Sequence, residues 1–549
     1  MAKLTINGKD VEAAAGTNLV EAAKQVGVEI PVFCYHPKLS IAAQCRMCLV
    51  EVEKMPKLVP ACQTPVAEGM VVKTDSERVK TAQAGVMEFL LLNHPVDCPI
   101  CDQAGECALQ DYYMVYDLTG SRSTVGKVHK PKVQDIGGGV VLDSERCVMC
   151  SRCVRYFDEI TGDAQMGFFN RGDRVEVSIF PDSPLHGEYC GNVVDLCPVG
   201  ALTWKDFRFK CRVWFLEKAA SVCPGCARGC NVTVEHNEGK VFRLKPRDNE
   251  AVNQCWMCDE GRASYKFVNE GRLLDPVVRE EKKGVTTETL SSQRSEERKA
   301  YVKKEEAKAG SREPHTRKAV VVTWERALAV AAEQLVKVVA TKGGAAIGVV
   351  LSPQATLEDN RAVVRFAADH LGVTAFYMGG RLDGEGDAFL RLADKNPNRA
   401  GVLAALEMGA VARGLAARTA DDVVADVESG KLSALIVMGN NLPVSPDARA
   451  RLVSAAARLD AVIVMASNRS ELVDAATVAL PSATFAEKEG TFVNAMGMHQ
   501  KLRRGIALVG RALPETQIVQ KLAAKMGFDF RPAREASAAS PATAAPGAH

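Results

Sequence analysis

Eighteen cysteines lie between Cys34 and Cys258, and none follows in the remaining part of this 549-residue chain. Thiols at that density serve disulfides, redox catalysis or metal ligation. The first residues, Met1 to Gly8, carry neither an apolar signal core nor a twin arginine, so the sequence predicts a reducing compartment, where disulfide frameworks are rare. Metal ligation is the better expectation, because the cysteines fall into four sets with recurring short spacings.

The first set is Cys34, Cys45, Cys48 and Cys62, or C-x10-C-x2-C-x13-C. Four thiolates on irregular loops suit a [2Fe–2S] centre, which asks little regular structure of its surroundings. A zinc knuckle pair is the alternative, but only Cys45 and Cys48 have that spacing. The second set, His94, Cys98, Cys101 and Cys107, reads H-x3-C-x2-C-x5-C. Three local cysteines leave a [4Fe–4S] cube one ligand short. His94 either supplies it or is an ordinary helix-end histidine. As a neutral ligand it would leave the cluster with one negative charge fewer, which by itself raises the potential.

The third set, Cys147, Cys150, Cys153 and the distant Cys197-Pro198, is the most specific. C-x2-C-x2-C with a remote C-P is the bacterial ferredoxin arrangement for a [4Fe–4S] cluster. Only Cys190 stands near Cys197, so one cluster is expected here, with Cys190 a buried small hydrophobe. The fourth set, Cys223, Cys226, Cys230 and either Cys255 or Cys258, fits a further [4Fe–4S] site or a four-cysteine zinc site. Cys211 has no assigned role.

The elements that must position these ligands are legible in part. Leu4-Thr5-Ile6, the turn Asn7-Gly8 and a return strand from Val11 predict a type I′ hairpin in a β-grasp-like unit. Asn18 is a suitable N-cap for a helix carrying Leu19, Ala22, Ala23 and Val26 on one face. A second helix is predicted from Ser76 to Asn93, ended by Pro95, with His94 at the boundary. Beyond Cys258, Arg279 to about Lys318 is charged and poor in large apolar residues, and reads as a linker or a solvated helical stretch. Apolar strands at Ala319–Val322, Ala346–Leu351, Ala434–Met438 and Ala461–Ala466 then alternate with helices from Trp324, Thr356 and Pro446, which predicts parallel α/β layers. Ser537 to His549 is expected to be disordered.

Lys plus Arg total 69 against 67 Asp plus Glu, so no global field recruits nucleic acid or an anionic membrane. No apolar run reaches the ~18 residues of a membrane span. Gly137-Gly138-Gly139 lacks the spacing of a dinucleotide fingerprint.

In this order the four sets resemble the large iron–sulfur subunit of bacterial NADH:quinone oxidoreductase, respiratory complex I. The resemblance is strongest over residues 1–210, including Gly105-Glu106-Cys107-Ala108-Leu109-Gln110. It implies that His94 is a cluster ligand, and that Cys223, Cys226, Cys230 and Cys258 form a cluster found in some bacterial members. Cys258 followed by Gly261-Arg262 also resembles the closing cysteine of molybdopterin oxidoreductases, which favours it over Cys255. Residues 320–527, through Gly439-Asn440-Asn441-Leu442-Pro443 and Leu480 to Asn494, resemble a shortened molybdopterin-oxidoreductase domain. With no cysteine there to bind molybdenum, and with Ser352 and Asp359 explained by a loop and a helix start, no molybdenum cofactor is expected.

The expected fold class is multidomain α+β. Its parts are a β-grasp [2Fe–2S] domain (1–78), a His/Cys-ligated [4Fe–4S] domain (79–118), a ferredoxin-like [4Fe–4S] domain (119–215) and a molybdopterin-oxidoreductase-type [4Fe–4S] domain (216–278). A charged linker (279–318), a degenerate molybdopterin-oxidoreductase-like α/β domain (319–530) and a disordered tail (531–549) follow. The resemblance implies an electron relay with one [2Fe–2S] and two or three [4Fe–4S] clusters, and no NADH or quinone site of its own. It implies four kinds of partner: an NADH-binding flavoprotein, its small 2Fe–2S subunit, a ferredoxin-like two-cluster subunit and other peripheral-arm subunits, on the cytoplasmic side of the inner membrane. The alternatives are the electron-transfer part of an NAD-linked molybdenum formate dehydrogenase or of a soluble NAD-reducing hydrogenase.

Overall fold

In the computed structural model of the chain, the described residues are 1–116, 120–280, 318–410, 416–440 and 442–531. Nearly all of the charged linker, the C-terminal tail and Asn441 therefore lie outside them. The N-terminal hairpin pairs Ala2–Ile6 with Lys9–Ala13 through a turn in which Asn7 (φ 47°) and Gly8 (φ 77°) are both left-handed, as a type I′ turn requires. Ala2–Ile6 also pairs in parallel with Met70–Lys73, and Leu49–Val52 and Val59–Pro60 complete a five-stranded mixed sheet. The helix Leu19–Gln25 packs on it, its first turn capped by Asn18 accepting from Glu21 N.

The second helix runs Glu77–Asn93, capped by Ser76, and ends on His94 in extended conformation before Pro95. A short helix, Ala108–Tyr116, packs against it. The third ligand set sits between the antiparallel strands Val140–Leu142 and Leu202–Trp204 and the helix Arg152–Glu159. Cys223, Cys226 and Cys230 of the fourth lie on the connection between Glu217–Val222 and Asn231–Asn237, two strands of a three-stranded meander with Lys240–Pro246, and Cys258 caps the helix Asp259–Ala263 that follows.

The C-terminal half is built on an eight-stranded sheet. Ile347–Leu351, Ala434–Met438 and Ala461–Ala466 pair in parallel, and every residue in them is buried, as expected for strands covered by helices on both faces. One expectation is corrected. Lys318–Val321 is not part of the parallel layer; it pairs antiparallel with Val277–Glu280, which in turn pairs antiparallel with Val478–Pro481. The sheet thus reaches back across the charged segment. Two valines after Pro276 are too short a signal to separate an edge strand from the end of the preceding domain.

The cluster-bearing half and this sheet are joined at the fourth ligand loop. Ala227 N donates to Asp394 O (2.8 Å), Ala495 N to Ala227 O (2.8 Å) and Gln500 Nε2 to Gly229 O (2.7 Å). Lys395 pairs with Glu260 at 2.7 Å. The α/β domain therefore braces that loop.

Candidate iron–sulfur centres

In the first set, the Cys34 sulfur lies within hydrogen-bond reach of those of Cys45 and Cys62, and Cys62 also reaches Cys48. The loop curls tightly: Ala43 (φ 49°) and Arg46 (φ 60°) are left-handed without being glycine, a strain of roughly 1 kcal/mol or more each that surrounding contacts must hold. The mutual hydrogen bonds pull the Cys34 thiol down to about 2 and push Cys45 and Cys62 up. Four sulfurs competing for shared protons are a set suited to lose them to metal.

In the second set, His94, Cys98, Cys101 and Cys107 line one cavity of about 390 Å³ with Asp97, Ala104, Leu109, Tyr113 and Gly200. His94 Nδ1 is buried and, among the described residues, has no hydrogen-bond partner. Burial pulls its pKa down to about 4, so the ring is neutral near pH 7, the form in which imidazole binds metal. An unpaired buried nitrogen on a histidine that lines one cavity with three cysteines fits a cluster ligand better than a satisfied core histidine. Burial also raises Cys101 and lifts Cys107 to about 11.

In the third set, Cys147, Cys150, Cys153 and Cys197 line a single small cavity with Val148, Val177, Pro198 and Leu202. Met149 (φ 55°) and Ser151 (φ 62°) flank Cys150 in left-handed conformation, and Met149 N donates to Cys147 Sγ at 3.4 Å. Burial pushes Cys147 and Cys197 up to about 12 and raises Cys153 well above the ordinary thiol value. Thiols buried this way ionise only when a cation joins them.

In the fourth set, Cys223, Cys226, Cys230 and Cys258 line one cavity with Met257, Leu390 and Arg391. Gly225 N donates to Cys223 Sγ (3.4 Å) and Gly261 N to Cys258 Sγ (3.3 Å). Cys255 instead packs with the apolar cluster around Trp256 and Tyr156. Cys190 is buried, its thiol donating to His186 O at 3.1 Å, and Cys211 is half-buried. Among the described residues, no three His, Cys, Asp or Glu groups are spaced to share one metal ion. The second, third and fourth sets line cavities instead, and those fit a cluster better than a lone zinc.

The first three sets are packed around one apolar core: Phe33, Cys34, Met47, Cys107, Leu109, Val148, Cys150, Val199 and Ala201. Sequence spacing did not reveal the arginines at their junctions. Arg155 donates to the carbonyls of Cys34, Ser40 and Cys150, and Arg152 to Tyr35 O (2.6 Å) and Leu196 O (3.2 Å). Arg146, buried beside Cys147, grips Asp97 of the second set at 3.2 and 2.7 Å. Arg262, buried near Cys258, grips Asp195 beside Cys197 at 2.6 Å. The available signal was the basic residues adjoining the third and fourth cysteine motifs, Arg146, Arg152, Arg155 and Arg262.

These features define a multidomain iron–sulfur protein with a C-terminal molybdopterin-oxidoreductase domain. Family models match segment by segment: a 2Fe-2S iron-sulfur cluster binding domain at 1–77, the NADH-ubiquinone oxidoreductase-G iron-sulfur binding region at 83–122, and the NADH-quinone oxidoreductase subunit 3 ferredoxin-like domain at 137–203. The molybdopterin oxidoreductase Fe4S4 domain matches 216–270 and molybdopterin oxidoreductase 390–525. Over 286 residues, 52% of this chain, the protein is 44% identical to the G subunit of NADH-quinone oxidoreductase from Rickettsia bellii (strain RML369-C). Over 284 residues it is 44% identical to the NADH-ubiquinone oxidoreductase 75 kDa subunit of Reclinomonas americana. About half of this chain is therefore homologous to the G subunit of NADH-quinone oxidoreductase, and the matches span 42% and 40% of those relatives' own lengths. A solved NAD+-reducing [NiFe]-hydrogenase chain superposes over 39% of this chain and 91% of its own at 24% identity, with a TM-score of 0.35, too low to bear on fold or function.

Proposed function

We propose that this chain is the iron–sulfur electron-transfer subunit of an NADH:quinone oxidoreductase, relaying electrons from an NADH-oxidising flavoprotein subunit towards quinone. When bound, the clusters supply reversible one-electron transfer without proton movement or bond making in the chain. The observation that supports the reading is the single apolar core to which residues of the first three ligand sets contribute, which packs the three sets side by side. Cys34, Cys45, Cys48 and Cys62 would hold a [2Fe–2S] cluster. His94, Cys98, Cys101 and Cys107, then Cys147, Cys150, Cys153 and Cys197, and then Cys223, Cys226, Cys230 and Cys258, would each hold a [4Fe–4S] cluster. The backbone N–H groups of Met149, Gly225 and Gly261 stabilise the thiolate charge, while Asp97, Asp195 and Asp259 fix the arginines between the sets.

The partners that fit are the flavoprotein subunit, its small 2Fe–2S companion, and a ferredoxin-like two-cluster subunit that receives the electrons. Among the described residues no helix is long and apolar enough to cross a membrane, which supports a peripheral position, proposed on the cytoplasmic face of the inner membrane. The test is anaerobic purification of the tagged chain with its natural partners, followed by iron analysis, EPR and NADH:quinone assay. About 14 iron atoms per chain, four reduced-cluster signals and quinone reduction are expected. Co-purifying hydrogenase or formate dehydrogenase subunits would overturn the reading, as would zinc in place of iron.

A further inference from the structure

Three junctions join the ligand sets, and arginines stand at each, but their charges are treated differently. Arg146, between the second and third sets, is neutralised by Asp97 at 2.7 Å. Arg262, between the third and fourth, is neutralised by Asp195 at 2.6 Å and adjoins Asp259 at 3.9 Å. Between the first and third sets the pattern changes. Among the described residues, Arg155 donates only to the carbonyls of Cys34, Ser40 and Cys150 and to Ser151 Oγ (3.0 Å). Arg152, one turn earlier, donates among the described residues only to Tyr35 O and Leu196 O. No carboxylate of the described residues lies within ion-pair distance of either, and Glu159, on the same helix, spends its oxygens on Ser40. Lys38, also nearby in sequence to Cys34, is paired with Glu250 at 2.6 Å.

We propose that Arg152 and Arg155 form an uncompensated cationic junction that locks the first and third ligand sets together and raises the one-electron reduction potentials of the clusters held there. This inference rests on the iron–sulfur reading of both sets. The physical reason is the range of the field. A guanidinium paired with a carboxylate is felt as a dipole, which fades quickly, whereas an unpaired one keeps its full charge beside the carbonyls of the buried ligand residues Cys34 and Cys150 themselves. Each reduction adds one electron and therefore one negative charge to the ligand set, with no proton taken up, and the fixed positive charge lowers the cost of that step. The neutralised arginines at the other two junctions hold geometry without this bias. Arg155 and Arg152 act as positioning residues; they touch the loops of the ligands, not the metal.

The test is redox-titrated EPR on the full chain in its purified complex, with dithionite as electron donor, comparing wild type, Arg155→Gln, Arg155→Lys and Arg152→Gln. Arg155→Gln is expected to shift the reduction equilibria of the [2Fe–2S] and the third-set [4Fe–4S] cluster about tenfold toward the oxidised form, about 59 mV for one electron. The second-set cluster should stay put, and Arg155→Lys should return both potentials to wild type. Intact signals at unchanged potentials in Arg155→Gln would overturn the inference while leaving the iron–sulfur reading standing. Equal shifts in the Gln and Lys variants would also overturn it, because they would assign Arg155 a shape role only. If Arg155→Gln loses iron, Arg152→Gln is judged by the same potentials. Absence of the first-set or third-set signal from wild type would instead remove the reading on which the inference stands.

Discussion

Gly200 stands directly against Cys101: a Cβ built on Gly200 would collide with the Cys101 sulfur. The two residues belong to different ligand sets, since Gly200 follows Cys197 by three positions. Ala108 N donates to Pro198 O at 3.0 Å a few residues away, so the second and third sets share a backbone contact as well as an apolar core.

Gly200→Ala should therefore displace Cys101 and empty the second set while sparing the others. Iron should fall from about 14 to about 10 atoms per chain, with the third-set EPR signal retained. A full iron complement in the variant would mean that the Cys101 loop can yield without losing its cluster.

Removing His94 should act on the same set from the other side. His94→Ala is expected to lose one [4Fe–4S] signal and most of the NADH:quinone activity, with the first and third signals kept. His94→Cys should restore a cluster at a lower potential, because an anionic ligand replaces a neutral one. Wild-type behaviour of His94→Ala would show the unpartnered ring to be a helix-end residue only.

Cys258→Ala is predicted to remove one [4Fe–4S] signal, whereas Cys255→Ala leaves every signal in place. Cys258 lines the cavity of Cys223, Cys226 and Cys230, and Cys255 packs beside Trp256. The opposite pair of results would transfer the ligand role to Cys255.

In the α/β domain, Lys488 is buried between Asp359 (2.8 Å) and Glu515 (2.5 Å). One cation cannot neutralise two carboxylates, and burial raises the Glu515 pKa from 4.5 to about 7. A carboxyl raised on folding binds more protons in the native state, so its contribution destabilises as pH rises from 4.5 to about 7. The loss is of order 3 kcal/mol across that window. Glu515→Gln, which keeps the shape without the charge, should flatten the decline in thermal stability between about pH 5 and 7. An unchanged slope would place the titration elsewhere. Lys488→Met, leaving two carboxylates unpaired, should cost about 3–5 kcal/mol.

No stoichiometric molybdenum or tungsten is expected in the purified complex, and no formate-dependent NAD reduction. The cavity at the carboxyl ends of the parallel strands is lined by Ser352, Gly380, Arg381, Asn440, Ser482 and Glu515 among others, with no cysteine. Ser352 Oγ accepts from Gln354 N (3.2 Å), and Asp359 is held by Lys488, Thr356 and Thr516. Metal found by elemental analysis at one per chain would reverse this.

What the sequence by itself determined is the class of chemistry to propose: a cubane corner needs three sulfurs on one tight loop, and Cys147, Cys150 and Cys153 stand at that spacing. It also determined local elements whose signals are local, such as the Asn7-Gly8 turn, the Asn18 and Ser76 caps and the buried strands Ala434–Met438 and Ala461–Ala466. What only the tertiary structure decided was long-range. The antiparallel strand Val277–Glu280 on the far sheet, the approach of Gly200 to Cys101 and the bridge from Arg155 to Cys34 all join residues far apart in the chain. Spacing along a chain carries no information about such pairs, because they are set by how separately folded loops pack against a common core.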